Sequence, residues 1–293
     1  VILPMLLSLV GGSAIFGNLL VIASIVFFPR MRTGANFMLL NISVSDLVFT
    51  LFTLPTSVIN HASLGGVTDS VGSVGICRMV HYIIFVCVYV TIYTLVVTCV
   101  FRFCSECAGA AGSLLSKGNA LVSSFVIWLA FILSHLNLLL QRDGVLFQAP
   151  FICVHTMSVT DAMRIRTLWL TFLTCAFLVP LITVCLLSGC TLRAQSGGRK
   201  VHRNGTYESA QLDASERRRK REVSMVVMAA MVARVLCWLP IQVFVMVDIF
   251  GVTDITEVYR KAEMLGVCIA FLGCAVNPLL FNCISAEFRS AFR

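Results

Sequence analysis

Charged residues are scarce in this sequence of 293 residues. They make up 12% of the chain and hydrophobic residues 58%, whereas a typical soluble domain is about one-quarter charged. So few charges cannot cover a folded surface that faces water on every side. A soluble domain of seven buried helices is therefore disfavoured, and the composition indicates a protein that lies largely in lipid.

The usual signatures of catalysis and transport are also missing. The chain has no HExxH motif, no GxSxG motif and no pair of acids inside an apolar block, so we expect neither an enzyme nor a bound cofactor or metal. No internal repeat is visible at the scale of transporter halves. With a single acid near the middle of an apolar block, a channel or transporter is disfavoured as well.

The apolar residues form about seven blocks. Each block reaches the ~20 residues needed to cross a hydrocarbon core about 30 Å thick. The spans must be helical because lipid offers backbone groups no hydrogen-bond partner. We therefore predict an all-α membrane protein, a single domain (1–293) built as a seven-transmembrane helix bundle. The predicted spans are 3–28, 35–60, 76–104, 118–140, 165–192, 223–249 and 259–283.

The positive charge is distributed as expected for a membrane protein. The net charge is +8. If the connection at 29–34 is cytoplasmic, then 15 of the 22 Lys and Arg residues fall on the inner side, six fall outside, and Arg234 lies within a span. Such an excess on cytoplasmic loops sets orientation. We therefore predict an extracellular N-terminus and no binding of nucleic acid.

Two of the thirteen cysteines stand apart from the rest. Most cysteines lie within spans as small apolar residues. Cys77 opens the third span and Cys153 lies in the loop after the fourth, so both face the oxidising side in the predicted topology. We expect a disulfide bond between them that ties this loop to the third helix.

Several spans carry one polar or helix-bending residue deep in apolar surroundings. A proline inside a spanning helix removes a backbone hydrogen bond and kinks the helix. Asp46 is the only carboxylate near the middle of a span, and because a central Asp costs about 2.5–3.5 kcal/mol on insertion scales, it should face the bundle interior. It forms either a buried polar network with Asn18, Asn277 and water or an ion or proton site. The residues of this set are Asn18, Asp46, Trp128, Pro180, Trp238, Pro240, Asn277 and Pro278.

The residues after the seventh span predict a short amphipathic eighth helix at about 285–293. Ser285 can cap it. Phe288 and Phe292 are spaced four residues apart beside two arginines, which suits a helix lying along the inner membrane surface.

The order of these features resembles that of the rhodopsin-like (class A) G-protein-coupled receptors over essentially the whole chain. Within that family, the third-helix segment CRMVHYIIFVCVYVTIYTL and the sixth-helix segment CWLPIQVFV are most similar to galanin and allatostatin-A neuropeptide receptors. Any one motif would say little, whereas the ordered set is specific. The matching features are GN, LLNISVSD, Cys77, Trp128, Pro180, CWLP and NPLLF.

The resemblance implies a plasma-membrane receptor with an extracellular peptide ligand. Its partners would be a heterotrimeric G protein, arrestin and the lipid bilayer. Amine receptors have an aspartate where this chain has Ile84, and opsins have a lysine where it has Phe271, so neither a monoamine nor retinal is expected. Candidate ligand contacts, carried over by position, are Thr56, His81, Phe85, Trp169, Phe172, Gln242, Asp248 and Glu263.

The resemblance also implies a switch. The sixth helix would swing outward near Pro240, with Trp238 sensing the ligand at the pocket floor. Arg102 would line an inner crevice, paired with a carboxylate in the inactive receptor. The switch and coupling set is Asn18, Asp46, Arg102, Trp238, Pro240, Asn277, Pro278 and Phe281.

Four departures from the family pattern bear on signalling. Phe101 stands where an acid usually precedes the arginine, which removes an adjacent ion pair, although Glu222 could substitute. Arg234 stands where a phenylalanine is usual and must snorkel, pair or hydrate. Phe281 lacks the tyrosine hydroxyl of NPxxY. Gly273 and Cys274 replace residues that often help Asp46 bind sodium, which argues against a sodium site.

These departures leave alternatives to a peptide-activated receptor. One is a divergent receptor that is constitutively active or does not signal, acting as a decoy or partner subunit. Another is a receptor for a non-peptide ligand such as an odorant or lipid.

Overall fold

The chain is almost entirely helical in the residues that the computed structural model describes, which are 2–62, 71–107, 114–140, 159–197, 207–250 and 256–284. Within these ranges there is no β-strand. The helices are α1 (Ile2–Phe27), α2 (Gly34–Ala62), α3 (Val71–Glu106), α4 (Lys117–Ser134), α5 (Leu136–Leu140), α6 (Val159–Phe172), α7 (Val179–Gly197), α8 (Tyr207–Phe250) and α9 (Glu257–Ile284), with a 3-10 turn at Pro29–Met31 and a π-helical turn at Leu173–Leu178.

Seven helical segments in the described ranges are long and apolar enough to cross a membrane. α4 and α5 together form the fourth, and α6, the π-helical turn and α7 form the fifth. The predicted all-α seven-transmembrane fold is therefore confirmed. The segments are Ile2–Phe27, Gly34–Ile59, Arg78–Glu106, Lys117–Leu140, Arg166–Ala194, Ser224–Asp248 and Glu257–Cys283.

Two sequence predictions fall outside the described residues. One is the eighth helix at 285–293. The other is the disulfide bond, since Cys153 and the side chain of Cys77 are not described. Both stay predictions.

α3 is the central helix of the bundle. It contacts α2, α4, α7 and α8. In its most apolar stretch 72% of the residues are buried, against 6% in the corresponding stretch of the fourth span. α1 packs between α2 and α9, and α8 packs along α9. The fourth span therefore turns most of its surface toward lipid, while polar residues of α3 must find partners within the protein.

Prolines determine several contacts between helices. Pro278 has no N–H for the carbonyl of Cys274 four residues earlier, and Asn18 Nδ2 on α1 donates to that carbonyl at 3.2 Å. A Cβ on Gly17 would lie 3.0 Å from Pro278 Cγ, so the glycine allows this close approach. The GN pair of the first span thus packs against Pro278 and gives the freed carbonyl of the seventh span a hydrogen-bond donor.

The fifth span resolves its proline in a similar way. In the π-helical turn each N–H bonds five residues back, as Val179 does to Thr174. The next donor in this register would be Pro180, which has no N–H, so the carbonyl of Cys175 loses its helical partner. Tyr93 Oη on α3 donates to that carbonyl at 3.2 Å. This bond joins α3 to the widened turn.

Candidate functional site

A layer of aromatic rings fills the bundle around Trp238. Trp238 on α8 is 1% exposed, and its ring lies 5.7 Å from Phe49, 5.9 Å from Phe177 and 6.3 Å from Phe172 between ring centroids. Phe271 extends the layer from α9, 5.3 Å from Phe49. The layer therefore joins four spans, and the Trp238 indole cannot move without displacing rings on the second and fifth spans.

Three of the predicted ligand contacts belong to this packed interior. Phe85, Trp169 and Phe172 are buried. Phe172 lies 4.5 Å from Phe85 and 5.4 Å from Trp169 between ring centroids. The structure therefore brings these three residues together, and Phe172 connects them to Trp238, so that the rings join the third, fifth and sixth spans.

A polar cluster lies at the end of the bundle where α8 stops and α9 starts, which is the predicted outer end. We call Asp248, Tyr259 and Glu263 the Asp248 cluster. Tyr259 Oη donates to Asp248 Oδ1 at 2.6 Å and lies 3.2 Å from the carbonyl oxygen of Phe244. The carboxyl groups of Asp248 and Glu263 are close enough to interact. Two carboxyl groups thus share one end of the α8–α9 interface.

Some buried polar atoms on these two helices have no hydrogen-bond partner among the described residues. They are Glu263 Oε1, Gln242 Oε1 and Trp238 Nε1. The remaining predicted ligand contacts are Thr56 on α2 and His81 on α3, and both are half-buried. The hydroxyl of Thr56 donates to the Thr53 carbonyl at 2.9 Å. Unpaired buried polar atoms on α8 and α9 are costly. The Glu263 and Gln242 oxygens suit donors of a bound molecule, and the Trp238 N–H suits an acceptor.

Mid-bundle, five polar side chains meet, which we call the Asp46 centre: Asp46, Thr91, Arg234, Cys274 and Asn277. Arg234 Nη2 lies 2.6 Å from Asp46 Oδ1 and 2.8 Å from Oδ2. Asn277 Nδ2 donates to Oδ2 at 2.6 Å, and Thr91 Oγ1 donates to Oδ1 at 3.3 Å. Arg234 therefore pairs with Asp46, which settles its three predicted possibilities.

The Asp46 centre corrects one predicted contact. Asn18 does not bond to Asp46. Its amide donates to the carbonyls of Ala14 and Cys274 instead, because Pro278 leaves the Cys274 carbonyl without a helical partner. A contact that the sequence analysis missed is the guanidinium of Arg234 beside Cys274, with Nη1 3.4 Å from Sγ.

Arg102 lies at the opposite end of the bundle, the predicted inner end. Its Nε donates to Ser224 Oγ on α8 at 2.8 Å, and the side chain is buried. Ser224 was not among the predicted site residues. Glu222, proposed as a substitute partner, accepts from Arg218 Nε at 3.1 Å. The bond between Arg102 and Ser224 closes the inner end between α3 and α8.

Trp128 anchors the fourth span to its neighbours. Its Nε1 donates to Asn41 Oδ1 at 2.9 Å, and Asn41 Nδ2 donates to Thr94 Oγ1 at 2.7 Å.

Phe281, which replaces the tyrosine of NPxxY, is fully buried. Pro240 lies inside the continuous helix α8, between Trp238 and Gln242.

Comparison with known proteins identifies what this arrangement is similar to. A profile of the seven-transmembrane receptors of the rhodopsin family matches residues 17–281. The allatostatin-A receptor of Bombyx mori is 24% identical over 300 residues, covering 100% of this chain and 78% of that protein. Galanin receptor 2a of Danio rerio is 25% identical, covering 100% of this chain and 77% of that protein. Galanin receptor type 2 of Homo sapiens is also 25% identical, with 100% and 72% covered.

Proposed function

The chain belongs to the rhodopsin family of seven-transmembrane receptors, and from this premise we propose that it is activated by an extracellular neuropeptide of the galanin or allatostatin-A type. The observation that carries the proposal is the match to allatostatin-A and galanin receptors along the whole chain. The family consists of receptors, so the protein is a multi-pass membrane receptor and not an enzyme. In the proposed orientation its N-terminus is extracellular.

The chemistry at the proposed outer end suits a peptide. Glu263 Oε1 and Gln242 Oε1 are buried acceptors without partners among the described residues, and Asp248 adds a second carboxyl group. A peptide brings backbone N–H groups and cationic side chains that can donate to these atoms. A purely apolar ligand would leave them unpaired, at a free-energy penalty of about 1–3 kcal/mol for each group.

Helix α8 connects this end to the proposed inner end. Four of its residues make contacts at successive depths. Asp248 accepts from Tyr259 on α9, and Trp238 lies in the aromatic layer. Arg234 belongs to the Asp46 centre, and Ser224 accepts from Arg102. A ligand shifts such a structure only if it binds one arrangement of α8 more tightly than another. We place the coupling of ligand to G protein on this helix.

The proposal is tested with the full chain in cells that report calcium and cAMP. Galanin-like and allatostatin-A-like peptides are applied first, then other neuropeptides, with untransfected cells as the control. At least one peptide should activate a G protein in a concentration-dependent way. A response to lipids or odorants and to no peptide would overturn the assignment.

Glu263→Gln should weaken the response to the activating peptide. It replaces one oxygen of a buried carboxyl group with an NH2 group, which would face a donor of the ligand, and a buried polar group left unpaired costs about 1–3 kcal/mol. We expect the half-maximal concentration to rise roughly tenfold or more. The matched control is Glu257→Gln on the same helix, whose carboxylate is exposed and pairs with Lys261 at 2.6 Å. Equal shifts for both variants would contradict a ligand contact at Glu263.

Phe101→Asp should lower signalling in the absence of ligand. The aspartate would place a carboxylate next to Arg102, and such a pair near a surface contributes about 0–1 kcal/mol, so basal G-protein activation should fall by up to about fivefold. Phe101→Asn provides a control of the same size without the charge. Unchanged ligand-free signalling in the aspartate variant would count against this role.

A second candidate function is a divergent receptor that signals constitutively or not at all. The buried Arg234 on α8 favours it, because a charge deep in the bundle restrains the helix that must move. High basal activity without any peptide response, or binding without G-protein activation, would identify this alternative.

A further inference from the structure

A buried ion pair joins Arg234 on α8 to Asp46 on α2. We propose that the Arg234 guanidinium is a built-in cation, which fills the interhelical site at Asp46 and clamps α8 to α2 and α9. The ligand-free arrangement then needs no dissolved cation, and the clamp must open before α8 can move. The signalling consequence rests on the proposed function, whereas the occupation of the site does not.

The carboxylate of Asp46 is already fully used. Oδ1 accepts from Arg234 and Thr91, and Oδ2 accepts from Arg234 and Asn277. Both charged side chains are almost completely buried, with 3% and 2% of their surface exposed. A second cation would displace these donors and lie beside the guanidinium, where repulsion between like charges is strong because little water screens it.

The pair joins parts of the chain that 188 positions separate. Asp46 belongs to α2, and Asn277 and Cys274, which contact the same pair, belong to α9. Drawing Arg234 away would leave two opposite charges buried without partners, which is far costlier than losing an exposed pair. The clamp therefore holds three helices at one point.

Its position on α8 makes the clamp relevant to motion. Arg234 lies six residues before Pro240 and ten after Ser224, or about 15 Å along the helix from Ser224. Swinging the inner half of α8 about the proline would therefore have to move the guanidinium. The bond between Arg102 and Ser224 at the inner end is broken by the same movement.

The clamp is built so that it can open. Only Nη2 of the guanidinium contacts the carboxylate; Nη1 faces the Cys274 sulfur at 3.4 Å, a weak acceptor. The buried Nε has no hydrogen-bond partner among the described residues. A guanidinium with all its donors satisfied would be harder to withdraw.

The first measurement is the thermal stability of the purified full chain in lipid nanodiscs. The unfolding temperature is compared in sodium chloride and in N-methylglucamine chloride at equal ionic strength. We expect the same value in both, because the site is filled. A sodium-specific rise in the wild type would overturn the proposal.

The second measurement compares variants of the two charges. Arg234→Met and Asp46→Asn each leave a buried charge unpaired and should lower the unfolding temperature by roughly 10 °C. The double variant carries neither charge and should recover most of that loss, and Arg234→Lys should lie between. Lys261→Met, which removes an exposed pair, is the control. Additive losses in the double variant would overturn the clamp.

The third measurement is ligand-free G-protein activation at matched surface expression. The double variant, which we expect to fold without the clamp, should raise it at least about threefold by shifting the equilibrium of α8. Unchanged activation, with other variants of the chain still able to signal, would contradict the clamp as a restraint. If no variant or peptide activates a G protein, the proposed function fails together with this consequence, while the first two measurements still decide the built-in cation.

Discussion

We expect Gly34→Ala to prevent most of the protein from reaching the cell surface. Gly34 begins α2, and a Cβ there would overlap the carbonyl oxygen of Leu115 and lie 2.6 Å from its carbon and 2.8 Å from the carbonyl carbon of Ser116. These are backbone atoms that cannot rotate away. Ser116 also caps α4, accepting from the Asn119 N–H at 3.2 Å, so a shift would disturb the start of that helix.

Overpacking of this kind typically costs 1–3 kcal/mol, and we expect about 3 kcal/mol here because backbone must move. Surface expression and the unfolding temperature of the purified chain measure it. Gly118→Ala is the control, since a Cβ there has no neighbour within 4 Å and alanine favours the helix. A Gly34→Ala variant as stable as Gly118→Ala would show that the two backbones are not in contact.

Phe172→Ala should destabilise the receptor strongly, by about 3 kcal/mol. The ring is fully buried and contacts five other rings, at centroid distances between 4.5 and 6.3 Å. Truncation would leave a cavity at the junction of the third, fifth and sixth spans, and in a membrane such packing is a main source of helix association. Thermal unfolding in nanodiscs measures the loss.

The control for Phe172 is Phe125→Ala on α4, a residue with 67% of its surface exposed. Lipid replaces the lost contacts there, so the unfolding temperature of the Phe125→Ala variant should hardly change. Phe172→Leu, which fills most of the cavity, should lie between the two. A normal unfolding temperature combined with a lost peptide response in Phe172→Ala would make the ring a ligand contact and contradict its role in packing.

Several residues show how far the sequence reaches. Pro278 predicts that one carbonyl loses its helical partner, but only the packing of α1 shows that Asn18 supplies the replacement. Pro180 likewise predicts a break in the fifth span, whereas the π-helical turn and its bond to Tyr93 depend on how α3 lies beside it. The position of a proline therefore shows which carbonyl lacks a helical partner, but the donor that replaces it comes from a helix distant in sequence.

Arg234 and Asp46 carried a signal that sequence analysis did not use. Arg234 was recognised as the arginine inside a span and Asp46 as the one carboxylate near mid-span. Buried charges of opposite sign are expected to pair, because a buried charge without a partner is strongly destabilising. Their pairing could therefore have been expected. Phe172 is a different case, because an aromatic residue in the predicted outer half of a span has the same sequence pattern whether it faces a ligand or the core.

Composition and segment length by themselves determined that this chain is helical and crosses the membrane seven times. Lipid forces each apolar segment to satisfy its own backbone hydrogen bonds, so that decision is local. Which side chains meet inside the bundle is decided only by the tertiary structure. A guanidinium, a carboxylate and an amide from α8, α2 and α9 converge at one point because the packing of whole helices brings them there.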